Sequence, residues 1–167
     1  MEYLRAWVLD DACDLSKAIN NKRITDNLRD GIPSPYTQTD AVEFINSILS
    51  APVDSQYAWA IHDNGKAIGS IGIFRKDNIH NRTAEMGYYL AQPYWGRGFT
   101  TNAVKEACHY VFEHTDIIRI FAEPFAQNSA SCRVLEKAGF QFEGTLHRNA
   151  VKNGEIVDMK LYALVKE

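Results

Sequence analysis

Tyr94-Trp95-Gly96-Arg97-Gly98-Phe99-Thr100-Thr101 decides how this chain folds. It joins a strand-like run, Thr83 to Leu90, to a helical run that puts Ala103, Val104, Ala107, Cys108, Val111 and Phe112 on one side. A strand that ends in Gly-x-Gly and feeds straight into a helix is a phosphate-binding device. The first amides of the helix have no carbonyl one turn back, and the helix dipole adds partial positive charge there. Glycine lets the main chain approach a bulky anion with no Cβ in the way. Gly96, Arg97, Gly98, Phe99, Thr100 and Thr101 present successive amides, Thr100 and Thr101 add hydroxyls, and Arg97 adds a cation. Two common nucleotide signatures are not met. Thr101 stands where the dinucleotide fingerprint has its third glycine, and no Gly-Lys-Ser/Thr is present. On its own the loop fits a tight strand-to-helix turn equally well.

Working upstream, Tyr3 to Leu9 reads as a strand, followed by a helix capped by Asp10 or Asp11 with Ala12, Leu15, Ala18 and Ile19 inward. Asp30-Gly31-Ile32-Pro33-Ser34-Pro35 is loop chemistry. A second helix starts at Thr39 or Asp40 and turns Val42, Phe44, Ile45, Ile48 and Leu49 inward. Gln56–His62 and Lys66–Phe74 flank a hairpin turn at Asp63-Asn64-Gly65. Downstream come a buried-type strand, Ile117–Ala122, and a short helix from Asn128 to Ala138 closed by Gly139. Strands Phe140–Gly144 and Val157–Val165 follow, around a turn at Asn153-Gly154. The expected architecture is α+β: one domain, residues 1–167, with a mixed sheet flanked by helices.

A length of 167 residues, 46% of them hydrophobic, suffices for one core and excludes a disordered chain. A net charge of -3 argues against general capture of nucleic acid or an anionic membrane. No apolar run reaches the ~20 residues of a membrane helix, and no signal segment opens the chain. Cys13, Cys108 and Cys132 are odd in number and unpaired in spacing, so a cytoplasmic protein with reduced thiols is expected. The five histidines show no ligand spacing, so no metal is expected.

A second segment, Asn128-Ser129-Ala130-Ser131-Cys132-Arg133-Val134-Leu135-Glu136-Lys137-Ala138-Gly139-Phe140, follows about thirty residues after the glycine loop. Ahead of the loop runs Glu85-Met86-Gly87-Tyr88-Tyr89-Leu90, and the chain ends on Phe140-x-x-Glu143-Gly144, Asp158 and Tyr162. Together these segments resemble the GNAT superfamily of acyl-CoA N-acyltransferases, and within it the ribosomal-protein N-terminal acetyltransferase branch. The resemblance implies a mostly antiparallel GNAT-type sheet and acetyl-CoA as co-substrate, with no metal. It also implies direct transfer to a primary amine, on a protein N-terminus or a small molecule.

By the same resemblance, Tyr89 and Leu90 would offer the backbone edge that pairs with the pantetheine arm. The amides from Gly96 and Arg97 through Gly98, Phe99 and Thr100 to Thr101 would hold the diphosphate. Asn128 would bond the cofactor arm, Ser131 would protonate the departing thiolate, and Glu85 would be the general base. A strand amide near Leu90 would hold the oxyanion. Thr101-Asn102-Ala103 lacks the acid that usually follows the family loop.

Plainer roles stand beside these. Asn128 is a good helix cap for Ser131. Glu85 could pair with Arg82 or Arg75. Tyr88, Tyr89, Tyr94 and Trp95 read as cleft-wall aromatics, and Tyr162 as a buried phenol bonded to a backbone carbonyl. Asp10, Asp11, Asp14, Asp26, Asp30 and Asp40 are either an acidic cleft for polycations or a solvated face. A catalytically silent acyl-CoA sensor is the alternative function, and an exposed sheet edge could support a homodimer.

Overall fold

Asn64 and Gly65 take positive φ, 48° and 84°, and so close a tight hairpin between β2 (Gln56–Asp63) and β3 (Lys66–Arg75). From this hairpin a seven-stranded sheet extends both ways. A short β1 (Leu4–Arg5) pairs with β2, and β4 (Thr83–Leu90) pairs antiparallel with β3. Beyond β4 lie β5 (Arg119–Ala122), β7 (Glu155–Val165) and, at the edge, β6 (Gln141–Lys152), giving the order β1-β2-β3-β4-β5-β7-β6. The computed structural model describes residues 1–167 throughout. Only β4 and β5 run parallel.

Helices cover both faces. On one, α4 (Phe99–His114) and α5 (Ser129–Lys137) bury Ala103, Val104, Ala107, Cys108, Val111, Cys132 and Leu135 against Ile71, Ile73, Met86, Leu90 and Ile120. On the other, α1 (Ala12–Ile19) and α3 (Gln38–Leu49) seat Leu15, Ile19, Ala41 and Ile45 around Trp7 and the small Ala60 and Ala67 of the sheet. No helix is long and apolar enough to cross a membrane. All three cysteines are free, and burial pushes the Cys108 thiol up to about 12.

Several boundaries differ from the sequence reading. The first strand is two residues long, not seven, because Trp7 turns into the second core and Leu9–Asp11 forms a 3-10 turn. Asp11 does not cap α1 with its side chain. Its buried carboxylate takes two bonds from Arg5, at 2.7 and 2.6 Å, and one from the Val8 amide. A one-turn helix, α2 (Lys22–Thr25), capped by the Asn21 side chain, was not foreseen. Thr37 caps α3 in a reciprocal box with Asp40, so the helix begins at Gln38 and Leu49 ends up exposed. Ile117 and Ile118 precede β5 and are not part of it.

The last hairpin is longer than expected on both sides of Asn153-Gly154. Its β6 strand slips register between Leu146 and Ala150, where Arg148 takes φ 53°. Asp158 across the pair holds this bulge: the Arg148 amide donates to Oδ1 at 2.7 Å, and His147 Nδ1 lies 3.1 Å from Oδ2. These contacts, the amide first, keep the Asp158 carboxyl below the usual carboxylate range. A depressed carboxyl contributes stability above its unfolded pKa of about 3.9 and loses it as pH falls further. Asp158→Ala should therefore lower Tm by a few degrees at pH 7, with the gap closing in melts taken toward pH 3. An equal gap at both pH values would remove the ionic part of this account.

Candidate active site

The parallel seam between β4 and β5 lasts three residue pairs, from Thr83↔Arg119 to Glu85↔Phe121. Past it the strands follow different neighbours. β4 stays with β3 as far as Leu90↔Gly69, while the chain after β5 stays with β7, through Lys160 N to Pro124 O and Ala126 N to Asp158 O, both 2.9 Å. A wedge-shaped slot opens between them. Its closed end is fastened by Asp116, which takes Arg75 at 2.7 Å and has Arg82 at 3.9 Å. Those two arginines are thereby spoken for, so neither is the partner of Glu85 that the sequence left open.

Alternation decides which main-chain groups line the slot. Ala91 N donates to Ile68 O on the β3 side, and the register makes Tyr89↔Ser70 the next pair of the same kind. The main-chain groups of Tyr89 therefore face β3, and those of Tyr88 and Leu90 face the slot. This corrects the Tyr89–Leu90 edge expected from sequence to Tyr88 and Leu90. The Leu90 carbonyl there accepts from Trp95 Nε1 at 2.7 Å. The Tyr89 ring lies half-buried on the far face, its hydroxyl buried and unpartnered, and burial pushes that phenol far up.

At the wide end of the slot stands the N-terminus of α4. Gly96 and Gly98 both take positive φ, 75° and 85°, which turns the chain from Trp95 into the helix. No side chain caps α4, and its first intrahelical bond is Asn102 N to Gly98 O. The Phe99, Thr100 and Thr101 amides thus have no carbonyl one turn back. Arg97 is exposed, its guanidinium 5.6 Å from the Tyr94 ring centre and 5.2 Å from that of Phe99.

Across the slot from β4 is the start of α5. Asn128 Oδ1 accepts from the Ser131 amide at 3.1 Å, so the capping role is real, and the amide nitrogen of the same side chain is left for another acceptor. Ser131 Oγ lies 2.8 Å from the Tyr88 hydroxyl, a contact the sequence did not reveal. Burial pushes the Tyr88 phenol well up, so it carries its proton at neutral pH. Tyr162 also differs from expectation. Its hydroxyl donates to the Glu136 carboxylate at 2.9 Å, not to a backbone carbonyl.

Glu85 lies where the slot begins, on the face opposite Tyr88. It is only 16% exposed and both its oxygens are engaged: Oε1 with Arg29, Oε2 with Lys76 at 3.0 Å. Arg29 also reaches Glu123, at 3.5 Å. An open cleft of about 370 Å³ continues from there, walled by Arg29, Asp30, Glu123, Phe125, Asn149 and Val151, among others. Glu123 was missed in the sequence. Parallel pairing of Glu85 with Phe121 puts Glu123, two residues on, on the same face. Of the amino-terminal acids only Asp30 lines this cleft, and it is paired with Lys152; Asp11, Asp14 and Asp26 pair with Arg5, Lys66 and Lys22, and Asp40 serves the cap of α3.

A sheet split between two parallel strands, with an open helix N-terminus at one end of the slot and a carboxylate at the other, defines an acyltransferase fold. The comparisons agree: the profile described as "Acetyltransferase (GNAT) domain" matches residues 3–141, and the chain belongs to that family. It is 27% identical to the uncharacterized N-acetyltransferase p20 of Bacillus licheniformis, over 98% of this chain and 92% of that one. It is 36% identical to the uncharacterized N-acetyltransferase YoaA of Bacillus subtilis, over 65% of this chain and 62% of that one. Its fold matches RimL, a ribosomal L7/L12 α-N-protein acetyltransferase solved with coenzyme A. The TM-score is 0.86 at 21% identity, covering 98% of this chain and 93% of that one. The chain is an N-acetyltransferase of the GNAT type that uses acetyl-CoA.

Proposed function

We propose that this enzyme acetylates an α-amine, at a protein N-terminus or on a small molecule, by direct attack of the amine on the thioester. The slot carries the proposal, since it joins an anion site, an unpaired strand edge and a carboxylate in one line. The diphosphate of acetyl-CoA would rest on the amides from Arg97 to Thr101, with Arg97 adding charge. The pantetheine arm would pair with Tyr88 and Leu90, and the outward amide of Asn128 would bond it from α5. A main-chain amide of this edge, near Leu90, would stabilise the oxyanion. Glu85 takes the amine's proton, through a water, and Ser131 gives one to the thiolate.

Amine basicity favours this class of acceptor. At pH 7 an α-amine with pKa ~8 is about a tenth neutral, against about 0.04% for a lysine side chain at ~10.4. One carboxylate working through water suffices for the first and falls short for the second. The ribosomal α-N-protein activity of RimL points the same way, and the presence of Glu85 and Ser131 disfavours a silent sensor. Thiol release from acetyl-CoA over a panel of N-terminal peptides, amino acids, aminoglycosides and polyamines tests the proposal. Turnover is expected with α-amines, whereas turnover confined to polyamines, or none at all, would overturn it.

Ser131→Ala should lower kcat by about tenfold to a hundredfold, at or below the low end of acid catalysis, because a thiolate already leaves readily. Tyr88→Phe keeps the ring but removes the partner of Ser131 and should cost less. Full-rate Ser131→Ala enzyme would leave Ser131 as part of the helix cap alone.

A further inference from the structure

Glu85 is held by two cations of different kinds. Lys76 follows β3 directly, its amide tied to Thr83 O at 2.9 Å and its ammonium 5.7 Å from the Phe121 ring centre, so it is fixed to the sheet. Arg29 comes from the loop between α2 and α3, and its side chain is 62% exposed. That loop is tied to the β6–β7 hairpin by Lys152 to Asp30 at 2.7 Å and Asn153 to Asp26 at 3.1 Å. The ties fix the backbone on either side of Arg29 while its guanidinium reaches past solvent to Glu85. One nitrogen, Nη2, contacts both Glu85 and Glu123. A single ammonium in its place would do the same.

We propose that Arg29 is an internal stand-in for the acceptor. Its guanidinium fills the gap between Glu85 and Glu123 that receives the protonated amine, and the substrate binds by displacing it. Glu123 is then the second residue that selects a cationic nitrogen, while Lys76 keeps Glu85 aimed after Arg29 has swung away. Displacement costs little because the Arg29 side chain is 62% exposed and can hydrate, while the incoming ammonium restores a charge partner to the two half-buried carboxylates. The inference rests on the reading of Glu85 as the residue that faces the acceptor, and it predicts a gain from deleting a charged group beside the base.

Steady-state kinetics on Arg29→Ala and Glu123→Gln, with the best α-amine of the panel, test it. Arg29→Ala should lower KM for the amine about fivefold, the factor an exposed ion pair supplies, with KM for acetyl-CoA unmoved. Methylguanidinium should then inhibit Arg29→Ala competitively against the amine, and the unsubstituted enzyme less. Glu123→Gln should raise KM for the amine several-fold. A KM for the amine that rises or stays level in Arg29→Ala, or that is unmoved in Glu123→Gln, overturns the inference. Because these outcomes are read on an amine the enzyme does acetylate, they are distinct from failure of the panel itself.

Discussion

Replacing Gly98 by aspartate should abolish coenzyme A binding while the protein stays folded. Gly98 takes φ 85°, and a Cβ built there meets nothing nearer than Asn102 Nδ2 at 3.8 Å, so the new side chain has room. The left-handed conformation costs an aspartate only about 1 kcal/mol. Its carboxylate would stand at the first turn of α4, beside the amides of Thr100 and Thr101 that are now open. Those are the donors assigned to the diphosphate. The ligand would lose its hydrogen bonds and face a negative charge in their place, a combined loss of at least about 3 kcal/mol, or a hundredfold in affinity. Calorimetry with coenzyme A and a thermal melt separate the two effects. Binding should vanish with Tm within a few degrees of the parent. Unchanged affinity would remove the diphosphate from the mouth of α4.

Glu85→Gln should lower kcat/KM about a hundredfold at pH 7, the scale of general-base catalysis, with affinity for coenzyme A retained. The variant keeps the shape of the side chain and removes the proton acceptor. Arg29 and Lys76 lose a charged partner, but at 62% and 43% exposure both can hydrate, so folding should change little. The deficit should narrow as pH rises past ~8, because an α-amine is then neutral without help. A rate profile from pH 6.5 to 9.5 gives the comparison. Undiminished activity with an unmoved profile would return Glu85 to service as an ion-pair partner of the loop.

Much of this architecture was legible because local chemistry and final fold agree. The Asn-Gly turns, the inward face of α4, the exact span of Thr83–Leu90 and the helix between Asn128 and Gly139 all follow from short-range rules. The glycine loop announced the open N-terminus of α4 because positive φ and unpaired amides are properties of a few adjacent residues. What could not be read is what depends on pairing across the sheet. The slot exists because β4 and β5 part after Glu85↔Phe121, and no local pattern states where two strands separate. That register, combined with the one between β3 and β4, exchanges Tyr89 for Tyr88 at the strand edge and brings Glu123 beside Glu85. The Tyr88–Ser131 contact spans 43 residues and the Arg29–Glu85 contact 56, both beyond the reach of periodicity. Composition left the acidic amino-terminal part open between a cleft and a solvated face, because the partners that decide it, such as Lys66 for Asp14 and Lys152 for Asp30, lie far along the chain.

The central claim is that the gap between β4 and β5 takes the arm of acetyl-CoA and the first turn of α4 takes its diphosphate. A crystal structure of the enzyme grown with acetyl-CoA measures this directly. The account predicts diphosphate oxygens within hydrogen-bond distance of the Phe99, Thr100 and Thr101 amides, and the pantetheine amides paired with the main chain of Tyr88 and Leu90. A ligand seated anywhere else on the molecule, or an arm that makes no main-chain bond to β4, would contradict it.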